Sequence, residues 1–223
     1  MVRLLIVSDI HGAVEKARRL ARIRRDVTVV AGDIARCGSI EEAREVLSVL
    51  AAQSPVVWVP GNCDSPESPG IRVENAECIH LKAVSMAGLV FAGVGGSVAT
   101  PFGTPFEYSE EEFARMLQQL RSIVKGYEDR LVLVSHTPPY MSGLDRVRGG
   151  EYVGSPSLRS FIAEVKPLLV ATGHIHEAWG SACVEGVPVV NPGPLEAGRY
   201  ALVDLDPGRG MARVQLARIS EAL

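Results

Sequence analysis

Four of the five histidines in this chain stand in short polar clusters together with aspartates and one asparagine. Asp9 and His11 lie in Ser8-Asp9-Ile10-His11-Gly12, Asp33 in Gly32-Asp33-Ile34, and Asn62 in Gly61-Asn62-Cys63-Asp64. His136 opens His136-Thr137-Pro138-Pro139, and His174 and His176 share Gly173-His174-Ile175-His176. Carboxylate oxygens, an amide oxygen and imidazole nitrogens suit divalent metals, and the set holds more donors than one ion can use, which points to a two-metal site. Taken singly, each cluster has an ordinary structural use. Asp9 can cap the next helix and His11 can be a turn residue. Their spacing sends both side chains the same way if the extended backbone continues through Ile10.

Each cluster follows an aliphatic run that reads as a strand buried on both faces: 4–7, 27–31, 56–59, 131–135 and 168–172. Helices are expected at about 13–24, from Ser39 with Glu42 completing a capping box, at 110–123, and at 156–165. The first three strand-helix units argue a doubly wound sheet whose loops converge on one rim. Short strands near 78–81, 83–87 and 89–94 look antiparallel, so the sheet is expected to be mixed. Further strands are expected at 178–184, 187–190, 200–204 and 211–217. A loop over 95–109, with Phe102, Phe106 and Tyr108, has the length and aromatic content to line a substrate, although its rings can also pack on the body. A second loop, 140–155, carries Asp145, Arg146, Arg148 and Glu151. Arg146 and Arg148 are either phosphate contacts or solvated loop charges.

No linker or composition break divides the 223 residues, so one domain over 1–223 is expected. No apolar run reaches membrane-spanning length and the N-terminus enters a strand directly, from which a soluble cytoplasmic protein follows. The net charge of −3 gives no general drive toward nucleic acid. Lys16, Arg18, Arg19, Arg22, Arg24 and Arg25 read as the solvated face of an amphipathic helix, or less simply as a nuclease grip. Cys37, Cys63, Cys78 and Cys183 lack paired metal or redox spacing and read as reduced thiols. Few amide residues and an excess of arginine over lysine fit a thermophile. His80, outside the clusters, reads as a packed or surface imidazole.

The order Asp-x-His, Gly-Asp, Gly-Asn, lone His, Gly-His-x-His resembles the calcineurin-like metallophosphoesterases over nearly the whole chain. That resemblance implies an α/β fold, a four-layer αββα sandwich of two mixed β-sheets flanked by helices. It implies that Asp9, His11, Asp33 and His176 hold one ion and that Asp33, Asn62, His136 and His174 hold another, with Asp33 bridging. Two divalent ions (manganese, iron, nickel, cobalt or zinc) would lower the pKa of a bridging water, making hydroxide available for in-line attack on a phosphate ester.

The sequence departs from the family at Cys63, where many members carry a histidine thought to protonate the leaving oxygen. The Gly-Asn-Cys-Asp form is similar to a branch of small bacterial and archaeal phosphodiesterases that also resembles the retromer scaffold subunit. A phosphodiesterase acting on esters with good leaving groups is therefore expected. A phosphomonoesterase of the same chemistry and a non-catalytic metal-binding scaffold are the alternatives. Cys63 is either catalytic or a small filler, and Asp64 either supports a ligand or belongs to a loop's first turn. Asn191, in Asn191-Pro192-Gly193-Pro194, either makes a structural turn, binds main chain or approaches substrate. A phosphate ester is the expected partner, with no membrane and with nucleic acid not the main partner. The oligomeric state stays open, a homo-oligomer included.

Overall fold

The computed structural model describes residues 1–36 and 38–219; Cys37 lies outside the described residues. In chain order the strands are β1 (Val2–Val7), β2 (Val27–Ala31), β3 (Val56–Val59), β4 (Ala76–Cys78), β5 (Ala83–Met86), β6 (Leu89–Val94), β7 (Ser97–Val98), β8 (Glu107–Tyr108), β9 (Leu131–Ser135), β10 (Leu169–Ala171), β11 (Gly180–Val184), β12 (Val187–Asn191), β13 (Arg199–Asp206) and β14 (Met211–Arg218). The helices are α1 (Val14–Leu20), α2 (Ile40–Ala51), α3 (Glu110–Val124) and α4 (Pro156–Val165).

Two six-stranded sheets form, in the orders β14-β13-β1-β2-β3-β4 and β11-β12-β10-β9-β6-β5. Each has a parallel centre (β1 to β4; β12, β10, β9 and β6) with antiparallel strands added outside it. The single doubly wound sheet suggested by the strand-helix alternation is thus corrected to the two mixed sheets that the family resemblance implied. β4 is also corrected: it ends at Cys78 and runs parallel to β3.

Strand alternation explains the layering. Leu4, Ile6, Val29, Val57 and Val59 of the first sheet share one core with Phe91, Val132, Val134, Leu169 and Ala171 of the second. The alternate residues Leu5, Val7, Val30 and Trp58 face Leu20, Val46, Leu47 and Leu50 of α1 and α2. On the far side Val90, Leu131, Leu133 and Val170 pack against Phe113, Leu120, Leu158 and Ile162 of α3 and α4. The result is an αββα sandwich.

Local chemistry sets the helix ends. Ser109 and Glu112 make a full capping box for α3. At α2, Ser39 accepts from the Glu42 N–H at 3.2 Å, but the Glu42 carboxylate accepts from the Arg36 N–H instead of closing the box. α1 starts without a side-chain cap and stops at Leu20, short of the expected 24. The Arg25 guanidinium then donates to the Leu20 and Ile23 carbonyls at 2.9 Å each. Arg18 pairs with Glu15 and Glu45, and Lys16 donates to the Glu196 carbonyl, so much of the basic cluster is engaged locally. Among the described residues no helix is long and apolar enough to cross a membrane.

His80 sits beside the second sheet, where its Nδ1 accepts from the Gly95 N–H at 2.9 Å and its ring centroid is 5.9 Å from that of Phe106. Burial holds it down at about 4. Its folded pKa lies below the unfolded value, so its contribution is present above about pH 6.5 and is lost as pH falls toward 4. Over that window the wild type is expected to lose about 2–3 kcal/mol on this account, allowing for partial exposure. Urea melts at stepped pH should show a flatter slope for His80→Gln, and an unchanged slope would remove His80 as the cause.

Candidate metal centre

The clusters gather at one end of the parallel strands. Hydrogen bonds between the strand-end loops fix them there: Asp9 N donates to Gly32 O at 3.0 Å, while Ile10 N and His11 N both donate to Asp33 O at 2.8 and 3.0 Å. Satisfying both amides turns the backbone sharply, and Asp9 and His11 lie at φ +51° and +45°. The extended path expected through Ile10 is therefore corrected. Asp33 and His174 also sit at positive φ, +51° and +71°. Non-glycine residues in this region carry local strain, and here it aims donors inward. Gly61 is required because a Cβ there would meet Asp33 Oδ1, and Gly173 because one would meet Ser8 Oγ.

Among the described residues, three sets of donor atoms come within 4.8 Å of one another: Asp9, His11 and His176; His11, Asp33 and Cys63; and Asp9, Asp33 and His136. His176 Nε2 lies 3.1 Å from Asp9 Oδ1, with its side chain 43 % exposed against 1 % for Asp9, so the site has one open face. The same oxygen of Asp33, Oδ2, stands 3.8 Å from His11 Nε2 and 3.5 Å from His136 Nε2. His174 joins none of the three sets. Its N–H donates to Asp9 at 3.2 Å, and its ring packs edge-on to His136 with centroids 5.0 Å apart.

The donor chemistry fits a cation. His136 Nδ1 is 2.7 Å from the Ala31 carbonyl, which can only accept, so Nδ1 carries the proton and Nε2 of the neutral ring is bare. That bare nitrogen faces Asn62 Oδ1 at 2.9 Å and Asp33 Oδ2 at 3.5 Å. Three electron-pair donors aimed at each other need positive charge among them, supplied by a metal ion or a proton. When no ion is bound, a proton serves. Burial opposes ionisation of His136, but Asp33 and Asp9 outweigh it and lift the ring to about 9. Burial raises Asp33, yet the charge and hydrogen bond of His136, the charge of His11 and the Cys63 N–H pull it well below the usual carboxylate range. Asp9 is likewise held low by His176 and His136 against burial. Burial and the His136 charge press His174 down to about 4, leaving it neutral. His176 is raised by its hydrogen bond to Asp9.

Around the donors, three residues act on the backbone. Asp64 touches no ligand side chain. Fully buried, it accepts from Ile34 N, Ala35 N and Gly61 N at 3.0, 3.0 and 2.8 Å, stapling the Asp33 loop to the Asn62 loop. Burial and the Asp33 charge lift it to about 6 despite those donors. Asp64→Ala leaves these amides without partners and is expected to cost about 3 kcal/mol of stability, readable in urea unfolding; a loss under about 0.5 kcal/mol would contradict the staple. Asn191 donates to Ile175 O at 3.0 Å and accepts from Gly193 N at 2.9 Å, binding main chain so as to hold the loop between His174 and His176. Ser8 Oγ donates to Ala31 O, the carbonyl that also receives His136. Cys63 N donates to Asp33 Oδ1 at 2.8 Å, and burial together with Asp33 pushes the Cys63 thiol far up, so it stays protonated.

The long loops divide. Phe106 is buried while Phe102 is 83 % exposed. Asp145 is buried and caps its own loop through Met141 N at 2.8 Å and Ser142 N at 3.0 Å. Arg146 donates to Gly150 O and lies 5.9 Å over the Tyr152 ring, and Arg148 donates from its backbone to Glu177, next to His176. Cys63, Cys78 and Cys183 are free thiols. Two residues behind the donors carry no signal in the sequence: Thr104, whose Oγ1 receives Asn62 Nδ2 at 2.9 Å, and Glu107, which binds Thr104 in turn. No motif marks them, because they lie far along the chain from Asn62, Thr104 by 42 positions.

Sheets and donor set together define a calcineurin-like phosphoesterase, and the model of that family matches residues 2–178. The chain belongs to it. It is 36% identical over 200 residues to the protein MJ1162 of Methanocaldococcus jannaschii, covering 86% of this chain and 88% of that one. In fold it is similar to TT1561 of Thermus thermophilus, with a TM-score of 0.75, 21% identity and coverage of 96% of this chain and 98% of that chain. It is also similar to GAP50 of Plasmodium, described as the anchor in the inner membrane complex, with a TM-score of 0.56, 12% identity and coverage of 99% and 89%. Family and clustered donors support a metal-dependent phosphoesterase.

Proposed function

We propose that this chain is a phosphodiesterase that uses two divalent ions, one held by Asp9, His11, Asp33 and His176 and the other by Asp33, Asn62, His136 and His174. The observation that carries this reading is the convergence of His136 Nε2, Asn62 Oδ1 and Asp33 Oδ2, three electron-pair donors that need a cation among them. Divalent ions in such a cage supply Lewis-acid polarisation of the phosphoryl oxygens and activation of water near neutral pH. The chain's own residues do the rest. Asp33 Oδ2 faces a histidine of each set, which supports a shared position. The Ala31 carbonyl holds the His136 tautomer so that Nε2 remains an electron-pair donor. Asp9 is oriented by the His174 N–H and by His176.

One feature favours diesters with good leaving groups. Cys63 occupies the place of a leaving-group acid, and its elevated pKa makes it a poor proton donor. The leaving oxygen must therefore depart with little protonation. On this reading Cys63→His is expected to raise kcat/KM for alkyl diesters by about 100-fold while changing aryl diesters little, and a parallel change in both would refute the missing-acid role. The testing experiment compares kcat/KM across aryl and alkyl diesters, cyclic nucleotides, monoesters and single-stranded DNA, with manganese, nickel, cobalt, iron, zinc and magnesium tried separately. The aryl diester should rank first, and a monoester ranking first would overturn the diester assignment.

A further inference from the structure

Asn62 is gripped from the side away from the donor cluster. Its Nδ2 lies 2.9 Å from Thr104 Oγ1, and its backbone carbonyl receives Phe106 N at 3.1 Å. Thr104 in turn is bound to Glu107 twice, through its N–H at 2.8 Å and through its hydroxyl. Thr100 adds its N–H at 3.0 Å and its hydroxyl at 2.5 Å to the same carboxylate. Burial opposes ionisation of Glu107, but these donors hold it down at about 2.

The direction of each proton follows from donor and acceptor count. An ionised carboxylate has no proton to give, so the Thr104 hydroxyl spends its single proton on Glu107. Its remaining lone pairs can only accept, and the group beside them is the Asn62 side-chain amide. That amide must present its NH2 to Thr104. Its oxygen then points the opposite way, to His136 Nε2 at 2.9 Å. With the amide reversed, two acceptors would meet at Thr104 and an NH2 would face the cluster, where it cannot ligate.

We infer that Glu107 and Thr104 are positioning residues that fix the orientation of the Asn62 amide, so that its oxygen rather than its nitrogen is offered to the divalent ion shared with His136. The inference rests on the two-ion reading proposed above and extends it to the loop between β7 and β8. It also couples the folding of that loop to the quality of the site, since the same carboxylate gathers Thr100 and Thr104.

The test is calorimetric titration of the full chain with manganese, with no substrate present. Thr104→Val, which keeps shape but loses the hydroxyl, is expected to weaken the ion at Asn62 and His136 by on the order of ten-fold or more, leaving the other ion unchanged. Thr104→Ser restores the hydroxyl and is expected to titrate within about two-fold of the wild type, a small part of the ten-fold effect of removing that partner. In an Asn62→Asp background, whose carboxylate offers oxygen on either flip, Thr104→Val should cause no further loss. Should Thr104→Val fail to fold, Glu107→Gln takes its place, because an amide there can reverse the hydroxyl's proton; it is expected to weaken the same ion. Wild-type titration by the folded variant, or an equal loss in the Asn62→Asp background, overturns the inference. Intact titration behaviour without hydrolysis of any ester would sink the proposed function and leave the positioning role standing, whereas a wild-type chain that takes up no divalent ion overturns both.

Discussion

Asp33→Asn is expected to lower kcat/KM for phosphoester hydrolysis by at least about 1,000-fold while the chain stays folded. The substitution is isosteric, and asparagine is among the few residues that tolerate the φ of +51° found at this position. The amide oxygen can still accept from Cys63 N, the contact that Oδ1 makes at 2.8 Å. What disappears is the negative charge and the second oxygen, the one that stands between His11 Nε2 and His136 Nε2. An NH2 at that place would point a donor into both histidines and could share no ion between them. Circular dichroism melts alongside steady-state kinetics check both halves; a folded variant with near-wild-type turnover would remove Asp33 from the chemistry.

Divalent ions are expected to stabilise the chain strongly, and this is the second large effect. Without them, Asp9 and Asp33 are buried carboxylates that lean on histidine protons, and four of the residues assigned to the cage sit at positive φ. Each such backbone position costs on the order of 1 kcal/mol, and buried like charges add to it. An ion that binds only the folded cage contributes about 2.7 kcal/mol at a free concentration of 100 times Kd. For a chain of this size that corresponds to a Tm rise of about 5–10 °C, reversed by a chelator. The rise should vanish in Asp33→Asn. A Tm indifferent to manganese, cobalt and zinc would mean that the cage is held by protons alone.

The sequence shows much of this arrangement for a physical reason. Five aliphatic runs buried on both faces, each ending in a polar residue, mark the ends of parallel strands, and those ends are what gather Asp9, Asp33, Asn62, His136 and His174. Strand direction was harder to read, because β4 is short and its pairing with β3 is set by the chain's return over 60–75, which carries no periodicity. The division into two sheets came from the family resemblance, since strand-helix alternation is equally at home in one sheet. Asp9 and His11 were expected on an extended backbone, and the amides of Ile10 and His11 decided otherwise by sharing the Asp33 carbonyl. The role of Asp64 is not legible in the sequence, because its partners are backbone amides, which no side-chain pattern encodes. Thr104 and Glu107 were missed for the same kind of reason: a hydroxyl and a carboxylate in a Gly- and Pro-rich loop look like solvated turn residues until the fold sets them behind Asn62.

The most direct measurement of the central claim follows hydrolysis of bis-p-nitrophenyl phosphate as metal-free protein is titrated with manganese while bound metal is counted. Turnover should stay near background through the first equivalent, rise with the second, and level off at two ions per chain. Full turnover with no divalent ion, or saturation at two ions with no hydrolysis of this or any other phosphate ester, would contradict it.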